Sequence, residues 1–299
     1  MSNFKKISKQ NNIIKKVIIF IIFVFVIVLL FNIEFFYRYI SSRYFLKNNN
    51  KMETIPNSIL DLPNNYYYKS DLSNEKLVTL VAHYNEDLTW INDTKSPFII
   101  SSKNTKDKNL YVSLNKGNEV SAYLSYIIKY YDALPEYTLF LHGHFIDWHQ
   151  FSKANDIINK LEYLLKNDNS IEYLNVNNIG IDDRYQNNPT IEYLRVNVWK
   201  NVFEEELGPM PTAFYDKCCA QFLVKRERIK LRSKKFYSRL LNYVLYEDEY
   251  KVDATHYISG YIFEYIWHYI FGEPAFMNYN NSRNSFIGNN FYYRDFFSV

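Results

Sequence analysis

The chain has 299 residues, 47% hydrophobic and 19% aromatic, which is enough for one large domain with appendages. Its net charge of +3 is too small to argue for a nucleic-acid partner. Its two cysteines are adjacent, Cys218 and Cys219. Sequence neighbours rarely bridge without backbone strain, so no disulfide framework is implied, and no cysteine–histidine spacing resembles a zinc finger.

Residues 1–16 carry Lys5, Lys6, Lys9, Lys15 and Lys16 and no acid. Val17–Phe31 then has no polar residue, and the apolar stretch reaches Ile33, a span of 17 residues at the low end for a bilayer helix. A cleaved signal peptide is the rival, but Phe31–Arg38 is bulky and charged and offers no small-residue cleavage site. The lysine excess before the span keeps the N-terminus cytosolic. Tyr37, Tyr39 and Tyr44 suit the far interface. The expectation is a type II signal anchor at 17–33, a stem at 34–75, a lumenal domain at 76–277 and a C-terminal tail at 278–299. The stem is broken up by Pro56, Pro63 and asparagine clusters.

Within the domain, Leu77–Ala82 reads as a strand buried on both faces, ending in His83-Tyr84-Asn85-Glu86-Asp87. Phe98–Ser101 and Leu110–Leu114 are shorter strands. Asn118 is placed to cap a helix from Glu119 to Tyr131, whose apolar side chains share one face. Thr138–Leu141 is the next buried strand, and Ala154–Leu165 an amphipathic helix. A strand is expected at Ile171–Val176, a helix over Tyr193–Leu207 closed by Gly208-Pro209, and a strand at Ala220–Val224. Lys225–Lys235 holds seven basic residues and one acid and reads as a solvated face, with an anion site as the alternative. Phe236–Leu245 and Ser259–Phe271 are the last helices. Strands alternating with helices argue for an α/β fold.

Chemistry concentrates after Thr138–Leu141, where His142, His144, Asp147 and His149 crowd into eight positions. Ligands of open α/β sheets bind beyond the carboxyl ends of strands. In an extended chain an H-x-H places two imidazoles on one side, and imidazole with carboxylate is a natural transition-metal set. His142, His144 and Asp147 are therefore the candidate ligands of a divalent metal, manganese or magnesium. Packing in a structured loop is the alternative for these residues and Trp148.

Four segments, VAHYNEDLTWI (81–91), YDALPEYTLFLHGH (131–144), CCAQFLVKRERI (218–229) and SGYIFEYIWHYIFGEPA (259–275), together resemble the family called domain of unknown function 3431. Their layout is similar to glycosyltransferases of the GT-A fold, where an opening strand ends in a motif such as YNE and a later strand in a metal-binding D-x-D. The resemblance implies a GT-A-like, Rossmann-like mixed sheet flanked by helices. Tyr84, Asn85, Glu86 and Asp87 would meet a nucleotide sugar, and His142-Gly143-His144 would take the D-x-D position. The downstream half also resembles a bacterial capsule-type glycosyltransferase family, with Gln221 on the donor side and Glu264 in the place of a functional glutamate. Gly260 would allow close backbone approach. Pairing with His268 at i+4 is the structural alternative for Glu264.

These features imply a Golgi or endoplasmic-reticulum transferase moving a sugar from a nucleotide-sugar donor to a glycan, protein or lipid acceptor. A metal-dependent hydrolase is the second possibility, since H-x-H-x-x-D-x-H superficially resembles metallo-β-lactamase spacing. A non-catalytic, membrane-anchored carbohydrate binder is the third.

The topology is open to test. The sequons are Asn92-Asp93-Thr94 and Asn280-Asn281-Ser282, with Asn280 the better acceptor. In intact microsomes the C-terminal domain should resist protease until detergent is added; digestion without detergent rules out the lumenal orientation.

Overall fold

A computed structural model of the protein describes residues 71–103, 115–150, 152–177, 180–182, 188–252 and 256–277. The expected anchor at 17–33, the strand at 110–114, Asn280 and the tail lie outside the described residues. Among those described, no helix is long and apolar enough to cross a membrane.

The domain is α/β, built on a five-stranded mixed sheet flanked by helices. Its strands in chain order are β1 (Leu77–His83), β2 (Phe98–Ser102), β3 (Tyr137–His142), β4 (Tyr173–Asn175) and, after a separate two-stranded ribbon, β7 (Phe222–Lys225). The ribbon pairs β5 (Gly180–Asp182) with β6 (Tyr215–Lys217). The main sheet has the order β2-β1-β3-β7-β4. β1 pairs in parallel with both β2 and β3, whereas β7 runs antiparallel between β3 and β4. The carboxyl ends of β1 to β4 and the amino end of β7 therefore share one edge.

Alternation along the strands divides the core into two layers. Val78, Leu80, Phe140, Phe222 and Val224 face one side, where they meet α1 (Val120–Tyr130) and α8 (Ile258–Ile270). Leu77, Val81, Leu139, Leu141 and Leu223 face the other, against α2 (Ala154–Asn167) and Trp90. Both sides being apolar explains why these strands read as continuous hydrophobic runs.

A helical stretch from Pro189 to Leu207 comprises α3 (Pro189–Tyr193), a π-turn at Leu194–Val198, α4 (Trp199–Val202) and α5 (Glu204–Leu207). Asn188 caps its start by accepting from the backbone N–H groups of Thr190 and Ile191. Gly208, at φ +75°, closes it. α6 (Arg226–Ile229) and α7 (Lys234–Asn242) follow β7. The packed domain reaches back to Leu72, whose side chain lies in the first core layer.

Two local expectations change. Helix α1 is preceded by Glu119 at the N-cap, with no side-chain cap, while Asn118 takes a left-handed φ of +48°. Asn118 instead lies over Gly260, where a Cβ would come within 2.5 Å of its Nδ2. The basic segment after β7 is neither a free anion site nor simply solvated, because its arginines cap chain ends. Arg226 donates to Leu134 O, Arg228 to Gly272 O and Arg232 to Ile270 O.

The centre of the first layer is aromatic. The Phe222 ring lies 5.2 Å from Phe140 and 5.5 Å from both Trp267 and Phe271, between centroids. Phe222→Ala should cost about 3–5 kcal/mol, read as a lowered midpoint in urea unfolding. A loss below about 1 kcal/mol would mean that the layer collapses around the gap.

Candidate functional site

The shared strand edge gathers polar groups from seven places in the chain. β1 ends at His83 and β3 at His142, with Ala82 and His142 in register, so their loops leave side by side. Gly143 makes this approach possible. A Cβ there would lie 2.9 Å from Glu86 Oε2. Glu86 folds back to accept from the backbone N–H groups of Tyr84 (2.6 Å) and Asn85 (3.1 Å). The Trp90 indole N–H ties the second loop down by donating to Gly143 O at 2.9 Å.

His142, still in the strand, keeps its imidazole on the α1 and α8 face. The chain bends at Gly143, so the period-two rule stops there. The His144 Nε2 lies 4.0 Å from Glu86 Oε1, and its imidazole still acts on His142 and Asp147. The metal-capable group is His142, Asp147 and His149, whose ligand atoms lie within 4.8 Å of one another. His149, outside the expected set, belongs to this group, and His144 does not.

The His149 tautomer follows from its neighbours. Asn177 Nδ2 donates to Cys218 O (2.6 Å), Asn175 Oδ1 (3.0 Å) and Gln221 O (3.1 Å), which leaves Asn177 Oδ1 as an acceptor. His149 Nδ1 lies 2.8 Å from that oxygen and so carries a hydrogen. Its Nε2 lies 3.1 Å from Asp147 Oδ2. Metal-binding histidines are held through their other nitrogen in just this manner.

Two carboxylates and one lysine complete the edge. Glu119 Oε2 is 3.8 Å from His142 Nε2, and that nitrogen is buried without a hydrogen-bond partner among the described residues. Glu264, on α8, lies where the Cys219 backbone N–H and His149 favour its ionised form. Its i+4 neighbour His268 is engaged elsewhere, with a buried ring whose Nε2 lies 3.0 Å from Ala275 O and whose Nδ1 lies 3.7 Å from Asp216. Lys103, one residue past β2, donates to Lys116 O at 3.1 Å.

Burial governs the charges here. It pushes Glu264 up to about 7, against the pull of His149 and the Cys219 N–H. It lifts Glu119 to about 8, reinforced by the negative charge of Glu264. It draws Lys103 down to about 8 despite Glu119 and Glu86. It drives His142 down to about 3, helped by His149, so this ring stays a neutral ligand. Asp147 goes the other way. Burial would raise it, but the hydrogen bond from His149 and the surrounding imidazoles hold it near 2.

Of the expected nucleotide contacts, Tyr84 and Asn85 are exposed at the rim. Asp87 is occupied in a turn, accepting from the Thr89 N–H and hydroxyl. Gln221 is fully buried; it partners the His142 N–H, Gln150 and Asn177, and its Nε2 lies 3.3 Å from His149 Nδ1. Trp148, between two of the metal-capable residues, is 63% exposed and set edge-on to the His149 ring. The two cysteines, expected to be unbridged, form a disulfide. Cys219 and Ala220 both take positive φ, +72° and +48°, and supply the backbone distortion that such a bridge demands. Glu119 and Lys103 escape sequence reasoning as site residues because each resembles an ordinary element boundary. Position after a parallel strand is the one signal that points to Lys103.

A family model described as a protein of unknown function (DUF3431) matches residues 78–285. The chain belongs to the DUF3431 family. Apart from Leu77, the match takes in the whole sheet and every residue of the site described above. No curated protein and no solved structure matches the chain.

The raised carboxyls make stability depend on pH with a definite sign. A carboxyl whose folded pKa lies above its ordinary 4.5 binds its proton more tightly when folded. That contribution is complete below pH 4.5 and is lost as pH rises toward 7 for Glu264 and 8 for Glu119. In metal-free protein, Glu264→Gln should therefore gain stability over wild type between about pH 5 and pH 7 and hold a constant difference above. Parallel urea unfolding curves across this range, with no divergence, would show that Glu264 is solvated.

Proposed function

We propose that this DUF3431 protein is a metal-dependent glycosyltransferase, carrying a sugar from a nucleotide-sugar donor to a glycan, protein or lipid acceptor. The observation that carries the reading is the meeting of three distant segments on one sheet edge. They are the loop of Tyr84–Asp87, the triad of His142, Asp147 and His149, and Glu264. The mixed sheet, with both motif-bearing strands adjacent and parallel, supports a GT-A-like arrangement.

Glycosyl transfer asks a site for charge compensation at a diphosphate and for a base at the acceptor hydroxyl. A divalent ion on the triad supplies the first as a Lewis acid. Two imidazoles and one carboxylate favour manganese or zinc over magnesium, which prefers all-oxygen ligands. Exposed Tyr84 and Asn85 present the rim against which a nucleotide lies. Glu264, raised by burial to about 7, is poised to accept a proton near neutral pH. Lys103 adds a second positive group beside Glu86 and Glu119.

The lysine asymmetry around 17–33 supports a type II anchor with the domain in the Golgi or endoplasmic-reticulum lumen. A bonded cysteine pair fits such an oxidising compartment. A metal-dependent hydrolase is the second reading, favoured by the three-ligand set with a raised carboxyl across from it.

The test uses detergent-solubilised full-length protein, thermal shift with nucleotide sugars with and without manganese, and assay of sugar release and transfer. His142→Ala and His149→Ala should abolish manganese-dependent donor stabilisation, whereas His144→Ala should largely keep it. Glu264→Gln should leave donor binding nearly intact and cut turnover by about 10²–10⁴-fold. Metal-dependent ester or amide hydrolysis without nucleotide-sugar binding would replace this reading with the hydrolase.

A further inference from the structure

The lysine that follows β2 is out of place by ordinary rules. Ile99 of that strand faces the α1 layer, so alternation puts Ser101 and Lys103 on the same face, which is also the face of His142. Lys103 is buried, with 9% exposure. Its backbone N–H donates to His83 O at 3.0 Å, one residue beyond the paired His83 and Ser102. Its ammonium donates to the Lys116 carbonyl, just ahead of α1, at 3.1 Å. That carbonyl is itself fixed by the Ser121 hydroxyl at 2.7 Å. An ammonium has three donors and no acceptor. The other N–H groups of Lys103 therefore have no protein partner among the described residues.

The nearby acids do not fill those positions. Glu86 Oε2 is taken by the Tyr84 and Asn85 N–H groups, and its Oε1 lies 4.0 Å from His144. Glu119 Oε2 lies 3.8 Å from His142, and its Oε1 is buried without a hydrogen-bond partner. Both act on Lys103 through space, and burial disfavours its charge more strongly than they favour it. Lys116 is occupied elsewhere, donating to Asp248 O at 2.8 Å and lying 4.5 Å over the Tyr257 ring. An interior cation with open donors is costly to the unliganded fold. Such groups concentrate where a ligand of opposite charge arrives.

We propose that Lys103 is a diphosphate-binding residue of the site and holds that anion with or without a metal ion. β2 lies two strands from β3, across β1, a distance of about 10 Å at ordinary strand spacing. Side chains from both converge at the start of α1, Lys103 on the Lys116 carbonyl and His142 beside Glu119. Positive charge can therefore meet a bound anion from two sides, from Lys103 and from an ion on the triad. A diphosphate spreads its charge over two phosphoryl groups and matches two such points, whereas a carboxylate or a single phosphate matches one. Lysine suits the task as a compact point charge. Assigning the diphosphate to a nucleotide-sugar donor rests on the transferase reading above; the anion site at Lys103 does not.

The experiment titrates the full-length chain in detergent with inorganic pyrophosphate by calorimetry at neutral pH, in EDTA and then in manganese. Orthophosphate and acetate serve as comparison anions. Wild type should bind pyrophosphate in EDTA. Lys103→Met, close in volume and uncharged, should weaken that binding about 10–100-fold, the usual loss of a hydrogen bond to a charged group. Its midpoint in urea unfolding should stay the same or rise, because a buried charge has gone. Lys103→Arg should recover part of the affinity. Manganese should tighten pyrophosphate binding in wild type and in Lys103→Met alike, and His142→Ala should lose the manganese increment alone.

Equal pyrophosphate affinity in wild type and Lys103→Met would overturn the proposal, as would no binding by wild type. A lowered urea midpoint in Lys103→Met would also overturn it, since Lys103 would then be a staple between the ends of β2 and α1. Acetate or orthophosphate bound as tightly as pyrophosphate would remove the diphosphate assignment. If pyrophosphate binding depends on Lys103 while nucleotide sugars neither bind nor react, the transferase reading fails and the anion site stands.

Discussion

One buried side-chain amide holds the site together. Gln221 Oε1 accepts from the His142 N–H at 3.0 Å and from Gln150 Nε2 at 3.1 Å, while its Nε2 donates to Asn177 Oδ1 at 3.1 Å. Its own carbonyl takes the Val176 N–H. A single residue just ahead of β7 therefore fixes the end of β3, the loop that returns Asp147 and His149, and the end of β4. Each hydrogen bond lies in a medium of low dielectric, where a satisfied network is rigid and a broken one is costly. The placement of β7 between β3 and β4 makes this possible. Its antiparallel direction brings an amino end, with Gln221 and the cysteines, to an edge otherwise made of carboxyl ends.

The same edge collects groups that interiors usually reject. Glu119, Glu264, Lys103 and His142 are all driven by burial toward their uncharged forms. A fold optimised for stability alone would replace several of them with apolar residues. Their presence at one sheet edge, beside an aspartate held ionised, is the pattern expected of a site that separates proton donors from acceptors. The aromatic layer around Phe222 supplies the compensating apolar burial.

Much of the architecture is legible in the order of the residues. The apolar runs at 77–82 and 138–141 are strands because both faces of the sheet are covered, and the helix at 259–271 lies within one residue of its expected ends. The ribbon of β5 and β6 is not legible, because Gly180–Asp182 and Tyr215–Lys217 are too short to show a period and lie in polar surroundings. At the site, position after a strand points to the histidine cluster, whereas spacing singles out His144 and the geometry groups His149 with His142 and Asp147. Periodicity describes extended chain, and it ends where Gly143 lets the backbone turn. The family resemblance puts Gln221 on the donor side, and in the fold its side chain is buried among His142, Gln150 and Asn177. Glu119 and the cysteine bridge depend on tertiary neighbours that no local pattern encodes.

Trp148 has a consequence of another kind. The chain holds four tryptophans, and Trp90, Trp199 and Trp267 are buried while Trp148 stands 63% exposed against the His149 ring. Solvent-facing and interior indoles emit at different wavelengths and differ in their access to dissolved quenchers. The long-wavelength part of the protein's own fluorescence therefore belongs to one residue, fixed between Asp147 and His149. Arrival of an open-shell ion, a nucleobase or a sugar ring would alter that light first, which makes the molecule its own optical gauge of occupancy.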